Sequence, residues 1–195
     1  MRRQVTQRVS AVAVLAVVSV LGGCGGGGND ESWVGSFCGS GVRVRQALSN
    51  ANNSLRSNLA VPDLQPTDLK ASVVTAARSS TTASADALAR LRAAGEPSVD
   101  EGDEIQSAAV ARFVEIDDKV KALQAEAEAL PDSSRDAIAD ALGPYSQQVA
   151  DLSREVAASF TVLQPFDGYA DLEKVSRTPN DTHLPETCGR MRTVS

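Results

Sequence analysis

The chain has 195 residues, enough for one domain, and carries 42% hydrophobic but only 4% aromatic residues with a formal net charge of −6. A core drawn from Ala, Leu and Val, with few aromatic or β-branched runs, favours closely packed helices over strands. The acidity argues against nucleic acid as a partner, and against an anionic lipid surface held by side chains, because both repel a negative protein.

Arg2, Arg3 and Arg8 precede an apolar run from Val9 to Leu21 that only Ser10 and Ser19 interrupt. A run of about a dozen residues suits a signal-peptide core and falls short of the ~20 that span a bilayer. It ends in Leu21-Gly22-Gly23-Cys24, a branched aliphatic residue, two small residues and a cysteine. Together these features resemble the signal peptide and lipobox of a bacterial lipoprotein. The resemblance covers residues 1–24 alone. It implies cleavage just before Cys24, acyl chains such as palmitate on that residue, and anchoring on the extracytoplasmic side of the cell membrane. An uncleaved helix, or a plain secretory signal with a chance cysteine, is the competing reading. Loss of residues 1–23 removes three arginines and takes the net charge from −6 to −9. Gly25 to Gly28 then make residues 24–31 read as a flexible tether.

The mature part resembles, in general style, the uncharacterised alanine-rich helical lipoproteins of high-GC Gram-positive bacteria. That likeness carries no functional residues with it. If lipidation uses Cys24, only Cys38 and Cys188 remain, and an exported chain folds where thiols oxidise. A Cys38–Cys188 disulfide is therefore expected, against the alternative of two unpaired thiols.

From residue 32 to 164, apolar residues recur at alternating steps of three and four along four segments. The first carries Val34, Phe37, Val44, Leu48, Ala51, Leu55 and Leu59 and stops near Pro62. Pro66 opens the second, which carries Leu69, Val73, Ala76, Ser80, Ala83, Ala87 and Leu91 and ends at Gly95; its small residues invite close helix approach. The third follows Pro97-Ser98 with Ile105, Ala109, Phe113, Ile116, Val120, Leu123, Ala127 and Leu130, and Pro131 stops it. The fourth takes Asp132-Ser133 as its cap and runs through Ile138, Leu142, Tyr145, Val149, Leu152, Val156, Phe160 and Leu163. Gly143-Pro144 interrupts it, and because the stripe keeps its phase a kink is expected there rather than a break. Short proline-marked connections favour antiparallel neighbours. The expected fold is all-α, an up-down-up-down four-helix bundle. Its C-terminal tail, residues 165–195, is stapled to the first helix by the disulfide. Four antiparallel passes return the chain to the end where Cys38 lies, so helix count and disulfide support each other. The tail reads as a loop with one short helix, Tyr169 to Val175, whose Phe166, Tyr169, Leu172 and Val175 cover the open end of the bundle.

Sites of chemistry are scarce. His183, the only histidine, sits in a polar stretch, and a triad would have to use it. Asp100, Glu101, Asp103 and Glu104 are dense, but Gly102 falls third in the run and the spacing fails a Ca²⁺ loop. A solvated first turn favoured by the helix dipole explains them better. Glu115, Asp117 and Asp118, like Glu126 and Glu128, read as exposed helix faces. Asn52-Asn53-Ser54 and Asn180-Asp181-Thr182 match the glycosylation pattern by chance. Trp33 suits either the membrane interface or core packing, and Tyr145 either a pocket beside the kink or the core. No catalytic, cofactor-binding or metal residue is assigned, and no enzyme motif is present. The expected role is a binding or interaction module of the cell envelope with a protein partner, which requires an exposed apolar or small-residue face. The alternative, a carrier of an apolar small ligand between the helices, requires a cavity near Gly143-Pro144.

Overall fold

The computed structural model describes residues 26–177 and 183–192. The signal segment 1–23 and Cys24 lie outside the described residues. Among those described there is no strand; the elements are α1 (Gly26–Leu59), α2 (Pro66–Ala93), α3 (Gly102–Ala129), α4 (Arg135–Ala157), a 3-10 helix (Ala158–Leu163), α5 (Tyr169–Arg177) and α6 (His183–Arg192). The protein is all-α, and the expected stripes of the first, third and fourth segments face the core; in α2 the stripe shifts by one residue in the middle, so that Ala77 and Ser84 are buried where Ala76 and Ala83 were expected.

The start of α1 departs from expectation. A tether over 24–31 places these residues outside the folded body, yet α1 begins at Gly26. The Asn29 amide donates to the Glu96 carbonyl at 2.8 Å and to Ser98 Oγ at 3.0 Å, and the Ser98 N–H donates to the buried Asp30 carboxylate at 2.5 Å. A glycine in a helix costs about 1 kcal/mol relative to alanine. Here Asn29 and Asp30, bound to the α2–α3 connection, provide a turn from which the helix extends back into the glycines.

Proline sets the boundaries. Pro66 occupies the first turn of α2, where its missing N–H is harmless, and Asp68 faces the positive end of the helix dipole. Past its end Gly95 adopts φ +72°, the left-handed turn that terminates helices. The α4 cap is one residue later than expected: Ser134, in extended conformation, accepts the Ala137 N–H at 3.1 Å, and Asp132 and Ser133 precede it. α4 then runs unbroken through Pro144. Gly143 and Pro144 lie on its exposed face, so water can reach the Asp140 carbonyl that the proline leaves without a partner. The stripe expected as one helix to Leu163 tightens into a 3-10 turn at Ala158, which still buries Phe160 and Leu163.

Hydrogen bonds give the directions. α1 and α2 pair in opposite senses, from Asn29 with Ser98, through Ser40 Oγ donating to the Ala87 carbonyl at 3.0 Å, to Asn58 with Ser72. α2 and α3 do the same, from Gln106 on the Leu91 carbonyl at 2.9 Å, through Ser84 with Asp117, to Arg78 with Glu128. α4 crosses α1 between Arg135, which donates to the Leu59 carbonyl at 2.7 Å, and Ser146, which donates to Asn52 at 2.7 Å.

The bulky residues gather at one end. Trp33 stacks on Phe37 at 5.4 Å, Phe37 meets Phe113 at 5.6 Å and Phe160 at 5.2 Å, and Phe160 meets Tyr169 at 5.8 Å. Over this cluster lies the tail, with Leu172 buried and Phe166, Tyr169 and Val175 packed against the core, as expected. A second tail helix, α6, was not expected, since the tail read as a loop with one short helix. Pro185 falls in its first turn, where proline is tolerated. Within α6, Cys188 joins Cys38 of α1 across 150 residues with Cα atoms 4.9 Å apart, and both cysteines are fully buried.

Replacing both Cys38 and Cys188 by alanine removes the closure of a 150-residue loop. The chain-entropy model sets an upper bound of about 5 kcal/mol on the loss, and urea unfolding of the variant should show a decrease of roughly 2–5 kcal/mol. Gly168, between the 3-10 helix and α5, is a second sensitive point. A Cβ there would lie 2.2 Å from the Asp100 carbonyl oxygen and 2.6 Å from a Val99 methyl. Gly168→Ala should therefore destabilise by about 1–3 kcal/mol through overpacking, visible as a lower Tm.

Candidate functional site

The residues singled out from the sequence disperse in space. Cys24 lies outside the described residues, as does Asn180-Asp181-Thr182. Cys38 and Cys188 are joined. His183 is the first residue of α6, and its side chain lies outside the described residues. Trp33 is fully buried and its indole N–H donates to Gln106 Oε1 at 2.7 Å, so it packs the core. In the acidic run, Glu101 takes φ 55° and accepts the Asp167 N–H at 2.7 Å, tying the α2–α3 connection to the turn before α5. Asp103 and Glu104 stand in the first turn of α3, and a hydrogen bond between them lowers the pKa of the first and raises that of the second. Among the described residues, no group of three or more His, Cys, Asp and Glu side chains is placed to hold a metal ion. Asn52, half-buried in α1, accepts from Ser146, and Asn53 is exposed.

One acidic residue contradicts its reading. Asp117 was expected on a solvated face and is instead 5% exposed. Ser84 of α2 donates to its Oδ1 at 2.6 Å, and Lys121, one turn on in α3, pairs with its Oδ2 at 2.6 Å. That contact raises the Lys121 pKa, through the hydrogen bond first and the charge second. The small α2 residues bring the two backbones close enough to enclose the carboxylate, and the serine with the lysine offsets its desolvation. The i,i+4 spacing of Asp117 and Lys121 was the sequence signal for such a pair.

Two clefts mark the surface. The first, about 390 Å³, runs between α1, α4 and α6 and is walled by Arg45, Asn50, Asn52, Ser153, Arg154 and Arg190 among others, with no carboxylate among the described residues that line it. Arg45 donates to the Arg190 carbonyl, closing one side of the cleft. Burial of its guanidinium lowers the Arg45 pKa. Arg154 and Arg190 pair with Asp151 and Glu186 on their own helices. Sequence reading missed these arginines. The available signal was the stretch from Ser32 to Pro62, which has Arg43, Arg45 and Arg56 and no acidic residue in an otherwise acidic chain. The second cleft, about 560 Å³, lies between α1 and α2 and is lined by small and polar residues, among them Ala51, Ser54, Ser72, Thr75, Ala76 and Ser79.

Neither cleft is lined by Gly143 or Pro144. Tyr145 beside them is 5% exposed and belongs to the core. Comparison of the chain with protein-family models, curated proteins and solved structures finds no match.

Burial, with a smaller contribution from the Glu126 charge, pushes the Tyr145 hydroxyl from 10.0 up to about 12. The neutral phenol is the native form, so the folded state holds its proton where the unfolded chain has lost it. Stability from this group is full below pH 10 and declines as pH rises from 10 towards 12. Phenolate absorbance of the folded protein should show one step near pH 12, and Tyr145→Phe should remove that step.

Proposed function

We propose that this chain is a lipid-anchored binding module of the cell envelope, held through acyl chains on Cys24 and facing the extracytoplasmic side. The observation that carries the reading is the use of the cysteines. One stands at the end of a lipobox, Leu21-Gly22-Gly23-Cys24, and the other two close as a fully buried disulfide. Buried disulfides of this kind belong to exported proteins. No helix among the described residues is long and apolar enough to cross a membrane, which leaves attachment in this reading to the lipid.

The up-down-up-down four-helix bundle is part of the same proposal. It is supported by the opposite running of α1 with α2 and α2 with α3, by the Arg135 and Ser146 bonds between α4 and α1, and by the Glu155 contacts of Lys119 and Arg112 between α3 and α4. Such a bundle places the aromatic end beside the anchor, since Asn29 follows Cys24 by five residues. α1 then extends about 50 Å away from the membrane at 1.5 Å per residue. The small-residue cleft between α1 and α2 fits the exposed face that a protein partner requires. Carriage of an apolar ligand between the helices has less support, because Tyr145 fills the core where that cavity was expected.

Membrane fractionation with intact-mass analysis tests the anchor. The protein should sediment with membranes and lack residues 1–23 while carrying the mass of its acyl chains. Cys24→Ser should move it to the soluble fraction or leave the precursor uncut. A full-length, unmodified chain in the wild type would refute the anchor. Native mass spectrometry from the same membranes tests the binding role, where a stable protein partner supports the module and a co-purifying apolar molecule supports the carrier.

A further inference from the structure

Charge is distributed unevenly over this protein. The chain is acidic as a whole, yet one wall of the cleft between α1, α4 and α6 comes from the carboxylate-free stretch of α1. Arg45, Arg154 and Arg190 arrive from three different helices, and the remaining polar lining consists of amides and hydroxyls, Gln46, Ser49, Asn50, Asn52 and Ser153. Arginine presents a planar fork of N–H donors matched to the oxygens of phosphate and carboxylate.

We infer that this cleft is a binding site for a phosphate monoester on a small hydroxylated molecule. Arg45, Arg154 and Arg190 reach the cleft from separate helices, and a dianion with several oxygens competes better than a single carboxylate for arginines that already pair with Asp151 and Glu186. The volume of about 390 Å³ lies within the range of small-molecule sites and exceeds what a bare phosphate fills. The amides and hydroxyls then face the ligand's hydroxyl groups. Asn52 uses its side-chain oxygen to accept from Ser146, so that bond leaves its N–H donors unused.

The present partners of the arginines are compatible with binding. Arg45 is half-buried and fixed by its bond to the Arg190 carbonyl, which holds α1 and α6 at a set spacing. The Arg154–Asp151 and Arg190–Glu186 pairs are intrahelical, with the arginine side chains 54% and 64% exposed. Exposed pairs of that kind contribute little and can yield to a stronger anion. Neither Asp151 nor Glu186 lines the cleft. The same chemistry could come from a free sugar phosphate or from the headgroup of a phospholipid. The inference rests on the binding-module reading for its setting only, since the cleft stands whether or not Cys24 is acylated.

Calorimetric titration of the purified full chain in neutral detergent tests it, with glycerol 3-phosphate, dihexanoyl phosphatidic acid and uncharged glycerol as probes. Saturable binding of glycerol 3-phosphate is expected, weakened about tenfold or more in Arg154→Gln and in Arg190→Gln, each of which removes one charged donor from a rim. Asp151→Asn should tighten binding by releasing Arg154 from its competitor, an effect that a purely structural arginine would not produce. Binding of the short-chain lipid without glycerol 3-phosphate assigns the site to a headgroup and also supports the inference. Absence of saturable binding for both phosphates, equal binding of glycerol, or indifference to both arginine variants would overturn it. Circular dichroism melts confirm that the variants fold, and the anchor is read separately by fractionation, so the two proposals can fail independently.

Discussion

The bond between Cys38 and Cys188 ties the early part of the longest helix to the last helix of the chain, and the rest of the structure is arranged around that closure. It fixes α6 against α1, directly above the ring cluster of Trp33, Phe37, Phe113 and Phe160. α6 is short and polar, and a helix of ten residues in water is not stable by itself. Tethered at its centre, it needs only local contacts to persist. Arg192 stacks over the Phe160 ring at 4.5 Å and donates to Ser176 at 2.8 Å, completing the cover over that end.

This concentration of bulk has a counterpart at the other end. With five of its aromatic rings in one cluster, the chain packs much of the remaining α1–α2 contact with Ala, Ser and Thr. Small side chains bring helices close and also leave shallow grooves, which is why the cleft between α1 and α2 occurs there. Close approach also encloses polar groups. Ser40, Ser80 and Ser84 are buried and each finds a partner: Ser40 the Ala87 carbonyl across the α1–α2 interface, Ser80 the Ala76 carbonyl one turn back in α2, and Ser84 the Asp117 carboxylate of α3. The loops follow the same economy of space. Gly102 and Gly168 lie so near Pro97 and Asp100 that no side chain fits at either position.

The electrostatics separate into two regimes. Several ion pairs join exposed neighbours on one helix and contribute little to stability. The contacts between helices are fewer and more telling, with the Glu155 carboxyl of α4 lowered in pKa by its hydrogen bond to Lys119 and by the charges of Lys119 and Arg112 of α3. The arginine cleft overlaps the first group, since Arg154 and Arg190 pair with Asp151 and Glu186 on their own helices, yet neither of those carboxylates lines the concavity that the two share with Arg45.

Residue order alone determined the all-α class and the four long helical segments, and it pointed to the pairing of Cys38 with Cys188. A period of 3.6 with proline at the joints needs no tertiary information, because propensity, phase and backbone chemistry are local. For the same reason most stripe residues from Val34 to Leu163 were legible as core; the exceptions are Ala76 and Ala83 in α2, where small residues on every side leave the phase undetermined and Ala77 and Ser84 are buried instead. Local rules failed where a distant neighbour intervened. Glycines 26–28 read as coil, but Asn29 and Asp30 bind a loop nearly seventy residues away and the helix extends into them. Asp117 read as solvated until Ser84 and the close α2 backbone covered it. α6 lay in a tail that read as loop, and the disulfide holds it against α1. The arginine cleft was the least legible, since Arg45 and Arg190 stand 145 positions apart and its residues share no motif. Only the packing of α1, α4 and α6 brings them to one surface, because proximity between far parts of a chain is a property of the fold and not of any window of sequence.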